Sequence, residues 1–156
     1  MNLARTEMSV YVAIVAVVLS IASTAAAERP NPNLRYGIPV DPTHFSQDGA
    51  QQTVRSIVKA LDDGKVAYML AHLISPEDVD AKLKLDRAAL LRLAGKATTE
   101  STAKLRDALV VHLQQGRWII KGSRALSETR DRADLTLERI GGRWYLHNVP
   151  RQKTAK

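Results

Sequence analysis

The chain of 156 residues contains no cysteine. This absence excludes disulfide-stapled scaffolds, thiolate zinc sites, iron–sulfur clusters and a cysteine nucleophile. The sequence also lacks the phosphate-binding loop, the dinucleotide fingerprint, the nucleophile elbow and the zinc-protease helix motif. Its four histidines have no metal-ligand spacing, so we expect neither a metal site nor a cofactor.

Aromatic residues make up only 4% of the chain, and its formal net charge is +7. The basic residues are spread along the sequence without a tight run, which argues against nucleic-acid binding. A hydrophobic share of 45% with 25% charged residues is typical of a globular protein. At this length, one ordinary domain is expected.

The N-terminus has the pattern of an export signal. Arg5 precedes an uncharged run over residues 8–27, which is densest in apolar residues between Val10 and Ile21. Ala25 and Ala27 supply the small residues of an A-x-A cleavage site. The sequence therefore predicts a signal peptide over residues 1–27 and a periplasmic or secreted protein. The alternative is an uncleaved membrane anchor, since about 20 apolar residues can span a bilayer.

Residues 28–50 carry four of the six prolines and few apolar side chains. Proline removes a backbone donor and restricts the residue before it, so this segment is interpreted as a linker or an irregular arm. Tyr36, Ile38 and Phe45 could pack on the domain, and order and disorder both stay open.

Helical periodicity begins after Gly49. Ser75 followed by Pro76 predicts a helix start, Asp86 can cap another helix, and a last helix runs from about Thr99 to Gln115. The first two apolar stripes are Val54, Ile57, Val58 and Leu61, and then Val66, Met69, Leu70 and Leu73.

After Gly116 the pattern alternates, as in strands. Trp118, Ile120 and Leu126 are expected on one strand, and residues 133–138 on the next. Gly141 and Gly142 predict a two-residue turn. In that register the pairs are Leu137–Leu146, Leu135–Asn148 and Arg139–Trp144. Their apolar face should pack on the helices, which predicts an α+β fold over residues 51–150, followed by a basic tail over 151–156.

Two segments resemble the nuclear-transport-factor-like superfamily, which includes relatives of ketosteroid isomerase and scytalone dehydratase. They are the helix with its break at 54–65 and the ending Leu135–Leu146 with its Gly-Gly-Arg-Trp hairpin. The resemblance implies helices packed on a curved, cone-like antiparallel sheet that often encloses an apolar pocket. On the predicted register the inward face offers Arg124, Arg139 and Asn148 and no carboxylate, which argues against carrying over the enzymatic mechanism of the family.

His112 is the weak candidate for a catalytic residue. It lies in the inner stripe of the last helix with Leu105, Ala108 and Leu109, where an imidazole could act as acid or base. The alternative, which we favour, is a buried histidine bonded to a backbone carbonyl. With Trp118, Trp144 and Asn148, His112 also forms the predicted set of ligand-binding residues.

Two other groups of polar residues have simpler interpretations. Tyr68 and His72 lie opposite an apolar stripe, which favours a solvated or flank position over a site. Asp134, Glu138 and His147 share the polar face of the hairpin, where they could form an acid–base or metal site or ordinary cross-strand pairs.

The expected function is that of an exported, non-catalytic domain that binds a small apolar ligand or a protein partner. The alternatives are a small isomerase- or dehydratase-type enzyme that uses His112, and a membrane-anchored accessory protein of the cell envelope. Contact with a membrane surface and a homodimer also stay open.

Overall fold

The computed structural model describes residues 31–84, 86–130 and 132–147. The predicted signal peptide or anchor and the basic tail lie outside these residues. Within them, the α+β class is confirmed, because a run of helices precedes an antiparallel sheet. No helix in the described ranges is both long and apolar enough to cross a bilayer. The helices are α1 (Ala50–Asp62), α2 (Val66–His72), α3 (Pro76–Leu83), α4 (Arg87–Gly95) and α5 (Thr99–Gln115).

The strands form two sheets. A short hairpin of β1 (Leu34–Arg35) and β2 (Ile38–Pro39) precedes α1. The main sheet is a meander in the order β3, β4, β5, β6. Its strands are β3 (Arg117–Lys121), β4 (Arg124–Glu128), β5 (Leu135–Ile140) and β6 (Arg143–Leu146).

Side chains cap the starts of α4 and α5, whereas the hydroxyl predicted to cap α3 does not. Asp86 caps α4 by accepting from the Ala88 N–H at 2.8 Å, and Thr98 with Ser101 forms a capping box on α5. Ser75 lies before α3, as predicted, but its hydroxyl does not cap the helix. It donates instead to Oε1 of Glu138 at 2.6 Å, so the polar side chain ties α3 to the sheet.

The predicted register of the last hairpin is confirmed in its described part. Leu137 lies opposite Leu146, and Arg139 lies opposite Trp144. Gly141 and Gly142 have φ angles of 56° and 86°, which a two-residue turn of this kind requires and glycine adopts without strain. Leu135, Leu137 and Leu146 are buried in the same core cluster as the helices, as predicted.

The prediction of one strand through Trp118, Ile120 and Leu126 is wrong. A turn at Gly122 and Ser123 separates β3 from β4, and Ile120 pairs with Ala125. This pairing places Leu126 on the opposite face from Ile120. The turn is hard to detect in the sequence because the inward residues of β4, Ala125 and Ser127, are small. A hydrophobicity pattern gives such residues little weight.

The polar face of the hairpin is less open than predicted. Tyr145 lies on that face but is only 6% exposed. The segment 73–75 runs beside β6, where Leu146 donates to the Leu73 carbonyl at 2.9 Å and Ser75 donates to the Leu146 carbonyl at 2.8 Å. These bonds place the start of α3 against the hairpin, so this part of the face is partly covered.

Residues 31–49 form an arm that packs on the helices. Tyr36 and Phe45 are buried, and the Phe45 ring lies 4.5 Å from that of Tyr68. The Tyr36 hydroxyl donates to Asp80 at 2.8 Å, and Arg35 donates to Asp80 and to the Ala71 carbonyl. The described part of the proline-rich segment is therefore ordered on the domain.

Candidate functional site

A groove of about 510 Å³ opens between the α1–α2 turn and the start of α5. It exists because the chain turns sharply at Gly64, whose φ is 67°, and because small side chains line the helices that flank it. Its apolar lining is Leu61, Val66, Ala67, Ala94 and Ala97, its polar side chains are those of Asp62, Thr99 and Thr102, and Gly64 completes the lining.

Two polar side chains of the groove, Asp62 and Thr102, are already engaged by the protein. Asp62 accepts from Nε of Arg106 at 2.5 Å, and this hydrogen bond is the main cause of a raised pKa for Arg106. The hydroxyl of Thr102 donates to the carbonyls of Thr98 and Thr99, each at 3.0 Å. The groove thus offers apolar surface to a ligand and no acid–base pair among its lining residues.

His112 lies outside this groove and is only 3% exposed. Its Nδ1 is 3.0 Å from the hydroxyl of Ser127, and the backbone of Ala133 makes a second hydrogen bond with the ring. Burial lowers the pKa of His112, against a smaller opposing effect of the Ala133 bond and of the charge on Asp134. A neutral ring with these two partners joins α5 to the sheet.

The two tryptophans of the predicted ligand set do not meet. Trp118 is partly buried and its Nε1 donates to the His112 carbonyl at 3.2 Å, so these two residues are brought together. Trp144 is buried beside the arm, where its N–H donates to the Gln47 carbonyl at 3.0 Å. Neither lines the groove. Asn148 lies outside the described residues.

The prediction that Tyr68 and His72 are solvated is wrong. His72 is 2% exposed and Tyr68 is also buried, because the arm covers this side of α2. Nε2 of His72 donates to the Ile38 carbonyl at 2.8 Å, and the Tyr68 hydroxyl accepts from the Asp41 N–H at 3.0 Å. Burial lowers the pKa of His72 and raises that of Tyr68.

The structure brings together two of the three polar residues singled out on the hairpin. Nδ1 of His147 lies 3.4 Å from Oε1 of Glu138 and 3.2 Å from Oδ2 of Asp78 in α3. Asp134 is exposed and lies near His112 instead. Among the described residues, no group of histidines and carboxylates has an arrangement suited to a metal ion. The Ser75 hydroxyl donates to Glu138 rather than to His147, so this cluster holds no activated nucleophile.

The sequence interpretation missed the groove and the arm contacts. Small residues at helical positions, such as Ala67, Ala94 and Ala97, are a weak signal for open space, because alanine is common in helices. Asp78 and Asp80 follow the predicted helix start at Ser75, where acidic residues are common and indicate no site. Their partners His147 and Arg35 are distant in sequence, so spacing alone did not reveal them.

No protein-family model, curated protein or solved structure matches the chain.

Proposed function

We propose that this protein is an exported, non-catalytic binding domain whose groove receives a small apolar ligand. The observation that carries the proposal is the lining of the groove, in which the single ionisable side chain, Asp62, is neutralised by Arg106. Five of its nine lining residues are apolar, and small-molecule sites are lined predominantly by apolar side chains. Export follows from the signal pattern over residues 1–27.

The four histidines support a non-catalytic role. His72 and His112 are buried and hydrogen-bonded, while His44 and His147 lie beside carboxylates. None of them lines the groove. A general acid or base must reach a bound substrate, so none of the four imidazoles is placed to act on a ligand held in this groove.

A distant relationship to the nuclear-transport-factor-like superfamily belongs to the same proposal. Helices followed by an antiparallel meander are compatible with it, and a curved, cone-like sheet would follow from the relationship. The fold alone would leave the function open, because unrelated functions share such folds.

Ligand binding is tested with 1-aminoanthracene, a small neutral fluorophore, titrated into the purified protein. The Ala97→Phe substitution places a ring in the groove, so we expect it to weaken binding about tenfold or more. Ala81→Phe, on an exposed position of α3, is the matched control and should bind like the wild type. The proposal would be contradicted if the wild type showed no saturable binding of the fluorophore. It would also be contradicted if Ala97→Phe and Ala81→Phe bound the fluorophore with equal affinity.

The alternative functions have their own tests. An enzyme that uses His112 should lose turnover in His112→Asn at an unchanged melting temperature, whereas the hydrogen bonds of His112 predict a loss of stability. Mass spectrometry of the N-terminus distinguishes a secreted chain that starts at Glu28 from a chain anchored by residues 8–27.

A further inference from the structure

Among the described residues, strand β3 forms an unpaired edge of the main sheet. The two-residue turn at 122–123 makes Lys121 and Arg124 a hydrogen-bonded pair, so the backbone groups of residues 117, 119 and 121 face β4. The Arg139 N–H donates to the Ser123 carbonyl at 2.7 Å. This bond agrees with the alternation, because it shows that the odd-numbered residues from 123 onward direct their backbone groups toward β5 and not toward β3. The N–H and C=O groups of Trp118 and Ile120 therefore point away from the sheet.

No other segment of the described chain pairs with this edge. In contrast, the opposite edge, β6, is bonded to the segment 73–75. Ile120 is 56% exposed although it lies on the helix-facing side of the sheet. Within the described part of the chain, the edge thus presents two N–H and two C=O groups without a partner, next to an exposed apolar side chain.

Positive charge brackets the edge. Arg117 and Lys121 lie at the two ends of β3 on the face opposite Ile120, and the exposed Arg124 is paired with Lys121. Arg117 is partly compensated by Glu128, at 3.4 Å. Lys121 has no ion pair within the described residues.

We propose that β3 binds an extended acidic segment of a partner protein, which adds to the sheet as an antiparallel strand. Backbone bonds to Trp118 and Ile120 would supply affinity, as in other strand-addition complexes. The partner strand would place an apolar residue beside Ile120 and acidic residues opposite Arg117 and Lys121. Cross-strand pairs of opposite charge stabilise such an arrangement.

The same charges disfavour a second copy of this chain as the occupant. An antiparallel pair of β3 strands that uses both outward-facing residues sets Arg117 of each copy opposite Lys121 of the other. Like charges directly opposed are destabilising. Lysine at an edge strand is a known protection against self-pairing, and it leaves an acidic strand as the complementary partner.

The test uses the purified protein expressed from the full chain and a fluorescent peptide of sequence EVVTE, with KVVTK as the charge control. Anisotropy at low salt should detect saturable binding of EVVTE and at least about tenfold weaker binding of KVVTK. Binding should weaken as salt rises, because screening shortens the reach of exposed charges. Equal affinity for the two peptides, or no binding of either, would overturn the proposal.

Variants of the protein locate the site. Lys121→Glu should weaken EVVTE binding about tenfold, whereas Lys84→Glu, an exposed lysine after α3, should leave it unchanged. Ile120→Pro removes an N–H that faces the edge and not the β3–β4 ladder, so it should abolish binding. Ile120→Thr, which retains the strand, is the milder variant should the proline unfold the protein, and it should weaken binding severalfold.

Two further outcomes are decisive. The backbone amides of the EVVTE peptide fall into two alternating sets, of which only one faces β3. N-methylation of that set should abolish binding, and N-methylation of the other set should not. Equal effects of both sets would refute strand addition. Sedimentation velocity should find a monomer; a dimer that Lys121→Glu changes would assign the edge to a second copy and refute the acidic partner.

Discussion

Gln47 fastens the arm to two separate elements of the domain. The residue is 5% exposed, and its side-chain amide donates to the His72 carbonyl at 2.8 Å and to the Trp144 carbonyl at 2.7 Å. The backbone carbonyl of Gln47 accepts from the backbone N–H of Trp144. The substitution Gln47→Leu keeps a similar volume but removes both side-chain hydrogen bonds.

The expected loss of stability follows from the two buried carbonyls that remain. A buried polar group left without its partner costs about 1–3 kcal/mol. The Trp144 carbonyl retains a weak contact with the Thr53 hydroxyl at 3.4 Å, so its loss is at the low end of this range. We therefore expect Gln47→Leu to lower the free energy of unfolding by about 2–4 kcal/mol in total. For a domain of this size the melting temperature should fall by about 8–16 °C.

Urea unfolding followed by circular dichroism measures this effect, with the m-value as a check that the unfolding transition stays the same. Gln114→Leu, on an exposed position of α5, is the matched control and should change stability by less than about 0.5 kcal/mol. A similarly small change in the stability of Gln47→Leu would mean that the arm is not closed over the domain in solution. That result would contradict the position described for the arm.

Two further perturbations test the core and the buried histidines. Leu137→Ala removes a fully buried side chain of β5 and should cost about 2–5 kcal/mol by urea unfolding, whereas Leu91→Ala, at an exposed position of α4, should change stability by less than about 0.5 kcal/mol. Equal losses would refute the assigned faces. Burial lowers the folded-state pKa of His72 and His112 below 6.5, so protons bind preferentially to the unfolded chain, and stability should fall as pH drops below that value. The slope is at most about 1.4 kcal/mol per pH unit for each histidine, it ends once the folded-state pKa is passed, and His112→Asn should reduce it; an unchanged slope in that variant would show that the ring titrates freely.

The local order of elements was predictable because each element carries its own signal. The stripe Val54, Ile57, Leu61 has the helical period, and the Gly-Gly turn fixes the pairing of Leu137 with Leu146. The β3–β4 turn was missed since its inward residues, Ala125 and Ser127, are small. A hydrophobicity pattern does not assign such small residues to either face of a strand.

The candidate site was less predictable than the fold. His112 was placed correctly on an inward stripe, and the contact of Glu138 with His147 followed from the hairpin register. The groove was not predicted, because it depends on how α1, α4 and α5 pack and on the space that alanines leave. The free edge at β3 likewise depends on which strand ends the sheet.

By itself, the sequence determined the class of the fold, the hairpin register and the burial of the leucines in β5 and β6, because short-range periodicity and turn chemistry act between residues near one another in the chain. Only the tertiary structure decided that the arm covers Tyr68 and His72, that Asp78 joins His147, and which groove and edge stay open. These are contacts between segments separated by more than 20 residues. Their geometry depends on packing, which no local pattern records.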